Sequence, residues 1–255
     1  MAGMGGPVFD AERRRHMAAA FLEGGDHYHK VRPGYPADSL DWLLETAGPV
    51  RDVLDIGAGT GKYTQLLAGR GWTVTAVDPS TDMLAQLTAN LPEVTAVTGT
   101  AEQLDLPGAS ADLAVVAQAW HWVDPVAAST EIARVLRPGG TLGLVWNQLD
   151  VSLPWVHRLA RIMHAGDVHK PDFRPEVGPE FSAPEAHNTR WAQPLTPEGI
   201  MELAKSRSYY LKASDATREK VMGNLAWYLL EHLGHAHGQE LELPYLAQTW
   251  RSHKL

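Results

Sequence analysis

Glycines stand at every second position in Val53-Leu-Asp-Ile-Gly-Ala-Gly-Thr-Gly-Lys62, and the residue two before the first of them is a carboxylate, Asp55. Gly57, Gly59 and Gly61 allow a sharp chain reversal and let a ligand come close to main-chain atoms. A phosphate-cradling loop would need Gly, four residues, Gly-Lys and then Ser or Thr. Here Lys62 is followed by Tyr63, and the residue five before Gly61 is Ile56, so that pattern is not met. A dinucleotide turn needs a glycine at the sixth position, which Lys62 occupies. A nucleoside-binding turn led by an acidic residue remains, with Asp55 in the acidic place.

The following segments add matching chemistry. Asp78 closes the next apolar run, where a carboxylate can accept both hydroxyls of a ribose. Gly99 to Pro107 brings Ala101 and Glu102 to where an adenine edge would lie, although Glu102 also suits a solvated loop charge. Gln118-Ala-Trp-His-Trp-Val-Asp124 follows the fourth apolar run. His121 titrates near neutrality and is the candidate general base, while its place between Trp120 and Trp122 suits a packed histidine equally well. No metal is expected: His27, His29, His232, His235 and His237 form no ligand pattern with a suitably spaced carboxylate. Tyr209-Tyr210 and Trp227-Tyr228 read as core at helical spacing, with a pocket wall as the alternative.

These residues need a scaffold that presents strand ends side by side. Strands are predicted at 51–56, 73–78, 94–97, 112–117 and 141–146, and helices at 60–70, after Ser80, and from Asp124-Pro125 to Leu136. Arg137-Pro-Gly-Gly140 reads as a tight turn. Strand and helix in alternation imply a parallel, right-handed, doubly wound α/β sheet. Residues 10–47 read as an N-terminal helical lid around Gly24-Gly25 and Arg32-Pro-Gly-Tyr-Pro36, and 48–147 as the ligand-binding core. Residues 148–255 hold insertions, with helices at 155–164, from Thr196-Pro197, and at 215–233. The strand candidates Thr189–Leu195 and Leu243–Trp250 follow the same segment, and the whole reads as one domain.

Bulk properties narrow the class. A chain of 255 residues with 44% hydrophobic and 20% charged residues can bury a large core. A net charge of −8 argues against tracking nucleic-acid phosphates, so no nucleic-acid partner is expected. The absence of cysteine excludes disulfides, thiolate zinc sites and thiol nucleophiles, and fits a reducing compartment. The apolar run Met17–Leu22 behind Arg13, Arg14 and Arg15 is too short for a secretory signal, and no stretch is long and apolar enough to span a bilayer. A cytoplasmic protein without membrane partners is expected.

Together these motifs resemble the class I S-adenosylmethionine-dependent methyltransferases, and most the small-molecule group that includes trans-aconitate methyltransferase-like proteins. The matching stretches are Val53–Gly61, Val77–Ser80, Gly99–Pro107, Asp112–Asp124 and Leu136–Thr141, with Arg32–Pro36, Trp146-Asn147 and Pro154-Trp155 in support. The resemblance implies a Rossmann-like sheet of seven strands with the last antiparallel, and S-adenosylmethionine as cofactor. It implies that Asp55 and the backbone of Gly57, Ala58 and Gly59 hold the methionine part and that Asp78 holds the ribose. Pro79 and Met83 would then flank the adenine, Ala101 and Glu102 meet its edge, and Gln118 lie near the sulfonium. Tyr28 and Arg32 would close over the amino-acid end, Arg32 alternatively pairing with an acid or bracing the turn before Pro33.

The acceptor is expected to be a small organic molecule, in a pocket among the lid, His121-Trp122, Trp155 and Arg207–Tyr210. Methyl transfer is an in-line substitution that mainly requires alignment, and a base is needed only for an acceptor that binds protonated. Two other classes compete. A nicotinamide oxidoreductase would require the glycine spacing that Lys62 breaks. A non-catalytic cofactor-binding protein would keep the fold without turnover.

Overall fold

The first strand, β1 (Asp52–Ile56), runs into the glycine turn, and only after it does the chain become helical, as α2 (Thr64–Ala68). The computed structural model describes residues 31–165 and 172–255. The first lid helix and Tyr28 lie outside the described residues. Helix α1 (Ala37–Leu44) precedes β1. After α2 come β2 (Thr73–Asp78), α3 (Thr81–Asn90), β3 (Thr95–Thr98), β4 (Ala111–Ala117), a 3-10 turn at Trp120–Trp122, α4 (Pro125–Val135) and β5 (Leu136–Leu149). The remainder is α5 (Pro154–Ile162), β6 (Glu185–Leu195), α6 (Pro197–Lys205), α7 (Ser208–Leu211), α8 (Asp215–Ala226), a π-helical stretch at Trp227–His232, and β7 (Leu241–His253).

The seven strands form one sheet in the order β3-β2-β1-β4-β5-β7-β6. The β1–β2, β1–β4, β2–β3 and β4–β5 pairs are parallel. The chain winds outward from β1 in both directions, so the carboxyl ends of β1 and β4 mark the point where an open α/β sheet leaves a crevice. At the opposite end, Arg137 donates to Asp112 Oδ1 at 2.6 Å and Asp52 Oδ2 at 2.8 Å, fixing the register of β1, β4 and β5.

By contacts the chain divides into two compact units. One contains Gly34–Asn147, Arg174–Thr189 and Ala247–Leu255; the other contains the chain up to Pro33, Gln148–Phe173 and Arg190–Leu246. In the first, Val53, Val74, Leu113, Val115 and Val145 pack beneath Leu40, Leu43, Leu67, Leu84 and Leu87. Gly143 lets α1 close on the sheet, since a Cβ there would stand 2.6 Å from Leu43 Cδ1. In the second, Leu149, Val156, Leu159, Ile200, Leu203, Val221, Leu225 and Leu243 form a separate core. Among the described residues no helix is long and apolar enough to cross a membrane.

The structure corrects several sequence expectations. The helix expected over 60–70 shrinks to α2 because Gly59 and Gly61 hold positive φ, 55° and 89°, which no right-handed helix accommodates. Strand β5 starts at Leu136, and Arg137–Gly140 bulges from its ladder: Ala111 pairs with Leu136 and Leu113 already pairs with Thr141. The helix expected over 215–233 changes winding at Trp227. The π turn lets Tyr228 bury itself, donating to the Trp155 carbonyl at 2.9 Å, while Trp227 stays 43% exposed. In α7 Tyr209 is exposed while Tyr210 is half-buried and packs against the core of its unit, so the pair is core at one position only.

Asp124 and Pro125 start α4 as expected, Asp124 Oδ1 accepting from the amides of Val126 at 3.0 Å and Ala127 at 3.1 Å. Replacing Asp124 by Ala removes both bonds and should lower stability by about 1 kcal/mol. Urea unfolding of Asp124→Ala checks this, and a midpoint equal to that of the parent would show the cap to be dispensable.

Candidate active site

Strands alternate faces, so Asp55 shares the face of Val53 and points into the core under α2. It is fully buried. Thr64, the first residue of α2, donates its hydroxyl to Asp55 Oδ2 at 2.6 Å, and Asp55 Oδ1 has no hydrogen-bond partner. Burial, opposed by the Thr64 bond and reinforced by the charge of Asp78, pushes the Asp55 carboxyl up to about 7. Tyr63 is buried beside it, its hydroxyl 3.4 Å from Ser39 Oγ, and its phenol is also raised by burial. The motif drew attention to the acid and the glycines. Thr64 and Tyr63 were missed, and the available signal was a hydroxyl on the helix turn that must cap a buried acid.

The glycine turn directs its amides inward. Gly57 and Ala58 donate to the Val77 carbonyl at 2.8 and 3.1 Å, Gly61 donates to the Ala58 carbonyl at 3.0 Å, and Gly59 donates to Asp78 Oδ2 at 2.8 Å. With those N–H groups engaged, these residues can meet a ligand with carbonyl oxygens, which suit a cation better than a phosphate. Gly57 has φ 70°, and a Cβ there would stand 2.5 Å from Ala119 Cβ, so only glycine fits between the turn and the end of β4.

Asp78 ends β2 and is 9% exposed. Its Oδ1 accepts from the Ser80 amide at 2.8 Å and its Oδ2 from Gly59. Burial raises its carboxyl and those two amides oppose the shift. Each oxygen keeps a second lone pair for a ligand hydroxyl. Ser80 then caps α3 through Met83 N at 3.3 Å, which places Pro79 in an exposed position and Met83 in a buried one. Ala101 is buried. Glu102 Oε1 accepts from the Asp124 amide at 2.9 Å, so this carboxylate also braces the start of α4.

At the end of β4, Gln118 holds φ 54°, a conformation a non-glycine residue keeps only when its surroundings enforce it. Its amide donates to the Val145 carbonyl at 2.8 Å and its Nε2 to the Asn147 carbonyl at 2.6 Å. Asn147 Nδ2 in turn donates to the Gly34 carbonyl at 2.8 Å. His121 is half-buried in the 3-10 turn, its ring 4.5 Å from that of Trp122, and Trp120 donates Nε1 to the Glu176 carbonyl at 2.9 Å. The expected nucleoside residues Asp55, Gly57, Ala58, Gly59, Asp78, Pro79, Met83, Ala101, Glu102 and Gln118 thus share one unit with His121. Arg32 belongs to the other unit, where its Nη2 donates to the Ser206 carbonyl at 3.1 Å. His232 stacks on Trp227 and Tyr228, and His237 pairs with Glu198 at 2.7 Å, both structural partners.

Comparison with known proteins agrees with this fold. The family model described as a methyltransferase domain matches residues 54–144. An uncharacterized methyltransferase of Mycobacterium tuberculosis is 44% identical over 240 residues, covering 94% of this chain and 97% of the relative. An uncharacterized methyltransferase-like protein of Schizosaccharomyces pombe is 32% identical over 207 residues, covering 78% of this chain and 81% of its own. Among solved structures, phosphoethanolamine N-methyltransferase 2 of Haemonchus contortus in complex with S-adenosyl-L-methionine superposes with a TM-score of 0.55. It is 18% identical and covers 97% of this chain and 60% of its own, a likeness of fold.

The Asp55 environment fixes a pH dependence. Its folded-state carboxyl titrates at about 7 against an ordinary value of 3.8. The folded protein therefore holds this proton more tightly than the unfolded chain, and the resulting stability is complete below the ordinary value and lost as pH rises through about 7. Asp78 acts in the same direction. Each unit is worth about 1.4 kcal/mol, so Asp55→Asn should be at least as stable as the parent near pH 8 and should show a flatter decline of unfolding midpoint from about pH 5 upward. Parallel curves for parent and variant would mean that Asp55 does not titrate as a buried acid.

Proposed function

This chain belongs to the class I S-adenosylmethionine-dependent methyltransferases, and we propose that its acceptor is a small organic molecule, methylated by in-line substitution in a closed site. S-adenosylmethionine supplies a methyl group on a sulfonium, a good leaving group, so the protein's main work is binding, orientation and exclusion of water. The observation that carries the reading is the glycine turn between two buried carboxylates, Asp55 and Asp78, at the ends of β1 and β2.

The residues suit the cofactor. Asp55 lies under the turn with one oxygen orphaned, and its negative charge together with the carbonyls of Gly57, Ala58 and Gly59 favours the ammonium of the methionine part. Asp78 has lone pairs left for both ribose hydroxyls. We assign Pro79 and Met83 to the adenine faces, Ala101 and Glu102 to its edge, and Gln118, held by Asn147, to the neighbourhood of the sulfonium. Tyr28 and Arg32 are assigned to the amino-acid end on the strength of the resemblance alone.

A small acceptor is supported by charge and by the segment after β4. At a net charge of −8 the chain is poorly suited to a polyanionic acceptor. That segment reads Gln118-Ala-Trp-His121, with no Asn-Pro-Pro-Tyr-type acceptor loop. His121 is the group there that can take a proton, needed if the acceptor is a phenol or an amine and dispensable if it is a carboxylate.

The test is formation of S-adenosylhomocysteine from S-adenosylmethionine with a panel of organic acids, phenols and amines. At least one acceptor should drive product formation well above the acceptor-free control. With a protonated acceptor, His121→Ala should slow turnover by ~10²–10⁴-fold while cofactor affinity holds. Turnover that survives alongside a lower unfolding midpoint would make His121 a packing residue. Tight cofactor binding without product on any acceptor would favour a cofactor-binding protein that does not catalyse transfer.

A further inference from the structure

We propose that Glu102 is a positioning residue that couples adenine binding to the turn bearing His121, one carboxylate oxygen serving the cofactor and the other the protein. The proposal rests on the assignment of Glu102 to the adenine edge made above. All the residues it uses lie in the unit that contains the glycine turn.

The starting observation is the bond from the Asp124 amide to Glu102 Oε1 at 2.9 Å. Asp124 joins two elements. Before it runs the 3-10 turn Trp120–Trp122, and after it α4, which its side chain caps through Val126 and Ala127. The near end of the turn is set by Ala119, whose Cβ lies so close to Gly57 that a Cβ there would stand 2.5 Å away. The middle is set by Trp120, whose Nε1 donates to the Glu176 carbonyl at 2.9 Å. Glu102 holds the far end.

The loop that carries Glu102 is itself firm. Gly99 donates to the Asp78 carbonyl at 3.2 Å and Gln103 to the Thr100 carbonyl at 3.2 Å. Leu104 donates to Glu131 Oε1 at 2.8 Å, and Arg134 donates to the Leu104 and Leu106 carbonyls at 2.9 Å each. The carboxylate therefore stands on fixed backbone, and a shift of its head moves Asp124 rather than the loop. A carboxylate accepts at two oxygens, and the exocyclic amino group of adenine is a donor. With Oε1 on Asp124, Oε2 suits that amino group. A glutamine could serve one donor with its oxygen but would turn an N–H toward the other, so the bridge needs an acid. Such coupling is reciprocal: the bound cofactor steadies the turn, and the steadied turn tightens the cofactor.

Amide hydrogen exchange, read by NMR on the isotope-labelled full chain with and without saturating S-adenosylhomocysteine, measures the coupling at Asp124, Val126 and Ala127. In the parent these amides should exchange about fivefold or more slowly once the compound is bound. In Glu102→Gln the slowing should be lost and calorimetric affinity should fall, at an unfolding midpoint close to that of the parent. In Glu102→Ala the Asp124 amide should exchange faster than in the parent even without the compound. No slowing in the parent at saturation, or slowing of equal size in Glu102→Gln, would overturn the coupling; weaker binding by that variant would then leave the adenine assignment standing. Affinity unchanged in both variants would remove Glu102 from the adenine edge, and the proposal with it.

Discussion

Holding an ionised carboxylate out of water is costly, and the ends of β1 and β2 are arranged around the two buried there, Asp55 and Asp78. Asp55 has a single hydrogen bond from Thr64, and Asp78 has two backbone amides, one of them from the glycine turn itself. The turn must bend so that Gly59 reaches Asp78 while Gly57 and Ala58 extend the ladder to Val77. That bend demands positive φ at Gly57, Gly59 and Gly61 and delays α2 to Thr64, the residue that meets Asp55. Acid, turn and helix start are one device. Its unbalanced quantity is negative charge, which suits the sulfonium and ammonium of the cofactor proposed to bind there.

The parts of this device differ in how visible they were in the sequence. Strand β2 falls on the predicted residues 73–78, because alternation and the closing acid coincide there. The Asp124-Pro125 start of α4 and the Ser80 cap of α3 were legible because capping is local chemistry. The helix after the glycine turn is shorter than its periodicity predicts because helical periodicity carries no information on the sign of φ. The π turn at Trp227 was not legible, since burying Tyr228 depends on the Trp155 carbonyl, 73 residues away.

The same distinction applies to the site. Asp55 and the glycines form a contiguous pattern that can be read directly in the sequence. The bonds that hold Gln118 and Arg32 are long-range: Gln118 to Asn147, and, in the other unit, Arg32 to Ser206 across 174 residues. Neither leaves a periodic trace. Glu102 can be read as a candidate from its loop, while its bond to the Asp124 amide, 22 residues away, is visible only in the three-dimensional arrangement.

If the charge of Asp55 is what the positively charged cofactor meets, binding must pull this half-protonated acid toward its ionised form and release a proton. Calorimetry of S-adenosylmethionine binding near pH 7, in two buffers of different ionisation enthalpy, measures that proton directly in the parent and in Asp55→Asn. A fractional proton released by the parent and lost in the variant, with weaker binding, is the predicted result. Binding with no proton release, or with the same release in both proteins, would contradict the account.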